Sequence, residues 1–177
     1  MLIEIQELER RKIRFEKTFP AGALHFPETD WRQVDEVRAE GVAELLDPSK
    51  SRTVRVCGHI RVNVEGTCAR CLDAAVKCYD DDFELFFHPM EVIAKNESVA
   101  ISGKDTEAGF YEMPGIQLAD VLTEQILLWL PMRSLCRDDC KGICPVCGAN
   151  RNLTACGCEV PKGDTRWDAL KSIVIKN

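Results

Sequence analysis

The chain contains no run approaching ~20 uncharged apolar residues, the length a helix needs to cross a bilayer. Its opening, MLIEIQELERRKIRFEK, is charged from the first residues. No secretory leader is therefore expected there, and the expected setting is the reducing cytoplasm, away from membranes. Histidine is scarce: His25, His59 and His88 all lie far upstream of the cysteine-rich end. Catalytic zinc sites usually keep an open position and recruit His or carboxylate, so that class is disfavoured. A GxSxG elbow, a phosphate loop and a Rossmann glycine pattern are all missing. Asp80-Asp81-Asp82 lacks the spacing of a calcium loop and reads as a solvated sheet edge. Neither an enzyme nor a small-molecule substrate is expected. Cations are also in deficit, 23 Lys and Arg against 29 Asp and Glu, which argues against a transcription-type nucleic-acid module.

What the sequence does hold is enough apolar material, 45% of residues, for one core in a chain of 177. The charge is uneven. Residues 133–177 carry eight Lys and Arg and five Asp and Glu, or +3, leaving −9 on residues 1–132. Residues 11–19 alternate through Ile13, Phe15, Lys17 and Phe19, a half-buried strand that stops at Pro20. A second alternation covers 34–46, through Val34, Val37, Ala39, Gly41 and Ala43. Over 53–65, Val54, Val56, Gly58, Ile60, Val62 and Val64 share one parity and Arg55, His59, Arg61, Asn63 and Glu65 the other. One dry and one wet face are what an antiparallel sheet requires. The pattern resumes over 74–88, while 89–110 reads as irregular with a short strand at 98–101.

After the Pro114-Gly115 turn, 117–130 takes helical spacing, with Leu118, Val121, Leu122, Gln125/Ile126 and Trp129 on one face and Pro131 as the stop. Asp164 is placed to cap a short terminal helix with a stripe of Trp167, Leu170 and Val174. The expected class is α+β: an antiparallel β-rich body, open or barrel-like, with a long helix, a C-terminal zinc-binding loop and a short helix. The expected division is 1–112 for the β-rich body and 113–177 for the helix, zinc-binding cysteine cluster and terminal helix, the second part packed as one unit with the body.

Ten cysteines are many for this length. In a reducing compartment clustered thiols bind metal more often than they pair. Six of them, Cys136, Cys140, Cys144, Cys147, Cys156 and Cys158, fall within 23 residues that hold too few apolar side chains to form a core unaided. A structural zinc supplies the missing stabilisation. Cys144-Pro-Val-Cys147-Gly148 has the form of a zinc knuckle: two thiolates on a tight turn, with a Gly after the second Cys to take the left-handed conformation. The other two ligands rank as Cys140 and Cys158 ahead of Cys136 and Cys156. Cys140 and Cys136 lie one helical turn apart, and the side chains of Cys156 and Cys158 diverge if that stretch is extended. A second pair, Cys68 and Cys71, sits at the tip between two alternating strands, with Cys57 and Cys78 on those strands. It reads as a structural turn, as part of a second metal site or set of shared ligands, or as a redox pair in a thiol-redox or metal-handling protein. Arg70, between them, is a contact residue or simply solvated.

The order of these features, an alternating strand into CARCL, the segment LADVLTEQILLWLPM, then CKGICPVCGANRN with a trailing CxC and the closing DTRWDALKSI, resembles the YceD family over roughly residues 35–177. That bacterial and plastid family is known as large ribosomal RNA subunit accumulation protein. The resemblance implies a non-enzymatic role in ribosome biogenesis, with a ribosomal protein or large-subunit precursor RNA as partner. Family genes commonly accompany that of a small zinc-ribbon protein of the large subunit, which makes that protein a candidate partner. An acidic body suits a basic ribosomal protein, and a basic tip carrying Arg133, Arg137, Lys141 and Arg151 suits RNA.

Overall fold

The computed structural model describes residues 1–46, 52–91 and 108–159. The chain opens with β1 (Leu2–Glu4) and a single turn, α1 (Ile5–Leu8), followed by β2 (Ile13–Phe19), β3 (Arg32–Gln33) and β4 (Val37–Leu46). The two longest strands, β5 (Thr53–Thr67) and β6 (Ala74–Pro89), form a hairpin, and β7 (Ala108–Tyr111), β8 (Gly115–Gln117) and α2 (Leu118–Trp129) follow.

The main sheet runs β2-β4-β5-β6-β7, with β3 on β5 beyond the end of β4. All of its pairings are antiparallel except β6 with β7, which join in parallel from Phe86↔Ala108 to Pro89↔Tyr111. It is open, with β2 and β7 at opposite ends, and does not close into a barrel. The parity of β5 sets its faces. Val54, Val56, Ile60, Val62 and Val64 are buried, whereas Arg55, His59 and Arg61 line the wet side in ion pairs with β4 and β6 partners. On β6, Asp80, Asp81 and Asp82 are all exposed.

The dry face is covered by a small second sheet, β1 against β8, together with α1, α2 and the segment carrying Leu24, Phe26 and Trp31. Buried Gln33 pins that segment. Its Oε1 accepts from the Leu24 amide at 2.9 Å, and its Nε2 donates to the carbonyls of Pro20 and Asp35 at 2.9 and 2.6 Å. From α2, Leu118, Val121, Leu122 and Ile126 enter the same core, each contributing roughly 1.5–3 kcal/mol by burial. The Tyr79 ring stacks on Trp129 with centroids 5.7 Å apart, and its hydroxyl donates to the Trp129 carbonyl at 3.0 Å, which fixes the end of α2 to β6.

The expectation of a long helix is corrected. α2 has 12 residues, about three turns. Gln117 is extended because it pairs with Leu2 in β8, and Leu130 is extended (ψ 132°) because a following proline disfavours the helical region. Val34 lies outside β4, which starts at Val37. Of 89–110, read as irregular, the last residues form the parallel strand β7. The short strand at 98–101 and the terminal helix over 164–174 lie outside the described residues. Among the described residues no helix is long and apolar enough to cross a membrane.

Candidate metal centres

Eight of the ten cysteines gather into two sets of four, and within each set all the sulfurs lie within 4.8 Å of one another. The inner set joins Cys68 and Cys71, from the β5–β6 turn, to Cys136 and Cys140, from the segment after α2. The outer set is Cys144, Cys147, Cys156 and Cys158. The structure thus divides the six C-terminal cysteines between two centres. Cys140, ranked with Cys144 and Cys147 from spacing, has its sulfur 3.8 Å from that of Cys68 instead. Cys57 and Cys78, which could have converged on the hairpin tip, stay on the strands, paired with Glu84 and Asn63.

The inner centre is built on a turn that narrows the hairpin. The Leu72 amide donates to the Cys68 carbonyl at 3.0 Å, and the Cys68 amide to the Asp73 carbonyl at 2.8 Å. This places Leu72 at φ +66°, a left-handed conformation that is costly for a residue with a Cβ. The outer knuckle has the same plan: Gly148 donates to the Cys144 carbonyl at 2.9 Å and sits at φ +73°. The two knuckles share a backbone form, with leucine in the first where the second has glycine. That leucine hid the likeness in the sequence.

The segment after α2 reaches the hairpin tip through backbone and side-chain bonds. Ala69 donates to the Ser134 carbonyl at 2.8 Å, and the Ser134 hydroxyl donates back to the Thr67 carbonyl. The Arg70 guanidinium donates to the carbonyls of Asp138 and Cys140 at 3.2 and 2.9 Å, so it binds the segment together. Gly142, at φ +70°, lets that backbone pass the Arg70 carbonyl, where a Cβ would come within 2.9 Å. Cys71 and Cys136 bring their sulfurs to 3.5 Å, and Cys68, Cys71 and Cys140 are all buried.

These separations fit a metal better than a covalent bridge. A disulfide needs ~2.05 Å between sulfurs. Four thiolates at ~2.3 Å from a shared ion, at tetrahedral angles, lie ~3.8 Å apart. The electrostatics favour a thiolate at some cysteines of each set and the neutral thiol at others. In the inner set Cys71 is raised, against the Asp73 amide, by burial and the neighbouring sulfurs, and Cys136 is raised chiefly by burial. Burial pushes Cys68 up, but the amides of Cys71, Arg70 and Cys136 aimed at its sulfur prevail and hold it at about 6. The amides of Cys147 and Val146 draw Cys144 down to about 6 against burial. For Cys140, burial is outweighed by the Asn152 side chain and the Gly142 amide, and the thiol is lowered. The neighbours respond in the opposite sense: Cys158 is pushed up to about 12, chiefly by its contact with Cys147, and Cys156 is raised chiefly by Cys144. Sulfurs this close cannot all ionise unaided, whereas a cation among them lets every one do so. An all-sulfur set suits a soft or borderline metal, and either group could hold one.

The sequence profile of the family described as "Large ribosomal RNA subunit accumulation protein YceD" matches residues 56–174. The chain belongs to the YceD family. The matched span holds both knuckles and all eight clustered cysteines, while β1 to β4 precede it. Among curated proteins, the chain is similar to Uncharacterized protein Mb2951c of Mycobacterium bovis and Uncharacterized protein Rv2926c of Mycobacterium tuberculosis. Each is 33% identical over 106 residues, covering 59% of this chain and 48% of the relative. The chain thus spans about half the length of the curated relatives it matches. No solved structure gives a significant match. The YceD description carries a link to large-subunit ribosomal RNA accumulation.

Proposed function

We propose that this YceD protein is a non-catalytic accessory factor in large-subunit assembly, with zinc in both four-sulfur sets and an acidic body that receives a basic ribosomal protein. The observation that carries the reading is that each set supplies four protein sulfurs. A tetrahedral ion held by four thiolates has no position left for substrate or water, the mark of a structural zinc site. The net charge of −9 on residues 1–132 supports a cationic protein as the partner of the sheet, and Lys141 and Arg151 on the outer tip suit approach to precursor RNA.

The redox alternative at Cys68 and Cys71 asks for a depressed thiol, and Cys68 has one at about 6. It also asks for access. Cys68 is 0% exposed and Cys71 4%, and each faces a sulfur from the segment after α2. A thiolate enclosed in this way is placed to hold a metal, not to attack a disulfide.

Sedimentation of cell lysate through a sucrose gradient, with zinc measured on the purified chain, tests the reading. Co-migration with large-subunit precursors, released by high salt, together with one zinc for each of the two sets, is the expected result. A metal-free chain that stays at the top of the gradient would overturn it.

A further inference from the structure

The CGANRN stretch after the outer knuckle stood out in the sequence, yet its asparagines take no part in either set of sulfurs. Asn152 Nδ2 donates to the Cys140 sulfur at 3.3 Å, across from the outer loop to the inner centre. Its Oδ1 accepts from the Lys141 amide at 2.8 Å, and its own amide donates to Asn150 Oδ1 at 2.9 Å. Asn150 Nδ2 donates in turn to Asp73 Oδ2 at 2.6 Å, on the hairpin turn that carries Cys68 and Cys71. The Ile143 amide completes the seam by donating a hydrogen bond to the Arg70 carbonyl at 3.0 Å.

We infer that Asn150 and Asn152 couple the two centres, so that metal at the outer set strengthens metal binding at the inner one. The inference rests on the zinc reading above. Both asparagines lie between Cys147 and Cys156, in the loop that an outer ion would close. That loop has no apolar anchor, since Leu153 is 81% exposed. The backbone bonds that hold it, from the Cys144 amide to the Ala149 carbonyl at 2.8 Å and from the Arg151 amide to the Gly142 carbonyl at 2.9 Å, run to the outer knuckle and the stretch just before it. With the outer ion bound, Asn152 is held where its N–H meets the Cys140 thiolate and disperses its charge. Such supporting donors commonly change metal affinity ~10–100-fold. Without the ion the loop loosens and the donor is lost. Linkage makes the effect reciprocal, so inner occupancy also favours outer occupancy.

The test is a titration of the demetallated full chain with Co2+, read by thiolate-to-metal absorption, followed by zinc competition against a chromogenic chelator. The wild type is expected to take up two ions, more steeply than independent sites would. Asn152→Ala, with every cysteine intact, is expected to take up two ions but bind the inner one about 10-fold more weakly, without the steepness. Asn150→Ala should move the same way by less. Cys147→Ser, which removes the outer site, should weaken the inner one by the same factor, and adding Asn152→Ala should weaken it no further. Two independent ions in the wild type, or an Asn152→Ala chain that titrates like it, would overturn the coupling and leave the zinc reading standing. A wild-type chain that takes up no metal would overturn the zinc reading itself.

Discussion

The two four-sulfur sets share a knuckle but do opposite work. The inner one gathers residues far apart in the chain, Cys136 coming 65 positions after Cys71 and Cys140 coming 72 after Cys68. The outer one is complete within Cys144–Cys158. Three of the four inner cysteines are buried, whereas at the outer set Cys147 is exposed and Cys156 and Cys158 are half-buried. Closing a long loop imposes an order on the chain that nothing nearby supplies, so a metal at the inner set would join the sheet to the described segment after α2, residues 130–159. A metal at the outer set would replace a core that its short, polar segment cannot form.

If that division holds, the largest effect belongs to the inner set. Cys71→Ser should lose one of the two metals and lower the melting temperature by about 10 °C, the scale of ~3 kcal/mol in a chain of this size. Amides of residues 132–159 should lose hydrogen-exchange protection together. Cys147→Ser should also lose one metal, but the melting temperature of the sheet should shift by only ~4 °C, the scale of a ~10-fold weaker inner ion, with exchange along β5 and β6 unchanged. Equal thermal losses from the two variants would abolish the distinction.

A smaller effect separates the two knuckles. Leu72→Gly relieves a left-handed leucine whose side chain is 65% exposed, and should stabilise by up to ~1 kcal/mol. Gly148→Leu imposes the same conformation on a residue with a Cβ and should cost ~1–2 kcal/mol. Thermal melts of the zinc-loaded chains measure both. The smallest effect lies up the sheet, where His59 donates Nε2 to Asp80 and Nδ1 to Asp82, at 2.6 and 2.8 Å. Those two carboxylates raise its pKa above 6.5. The stabilisation is therefore complete below pH 6.5 and fades as pH rises through the higher folded value. An NMR titration should show the raised midpoint in the wild type and a lower one in Asp80→Asn, with metal content the same in both.

How much the sequence disclosed follows the same contrast. β5 was legible because the long alternation over 53–65 leaves one register, and α2 because its apolar stripe spans three turns. β1, β7 and β8 have three or four residues each, too few for a period, and owe their form to the strands they pair with. The outer knuckle announced itself through Gly148. The inner one has Leu72 in that position, and its partners lie beyond α2, where spacing carries no information. The divergence expected of Cys156 and Cys158 assumed an extended chain, but that stretch has no regular structure and both sulfurs turn to the same point.

The distance between the halves of the inner centre also sets a timetable. Cys68 and Cys71 are synthesised 65 or more residues before Cys136 and Cys140, a wait of roughly 3–14 s at ~5–20 residues per second. Through that interval the β5–β6 hairpin stands with two thiols whose partner sulfurs do not yet exist. The nascent sheet must hold its shape by packing alone, and its last turn is sealed only when the tail of the chain arrives.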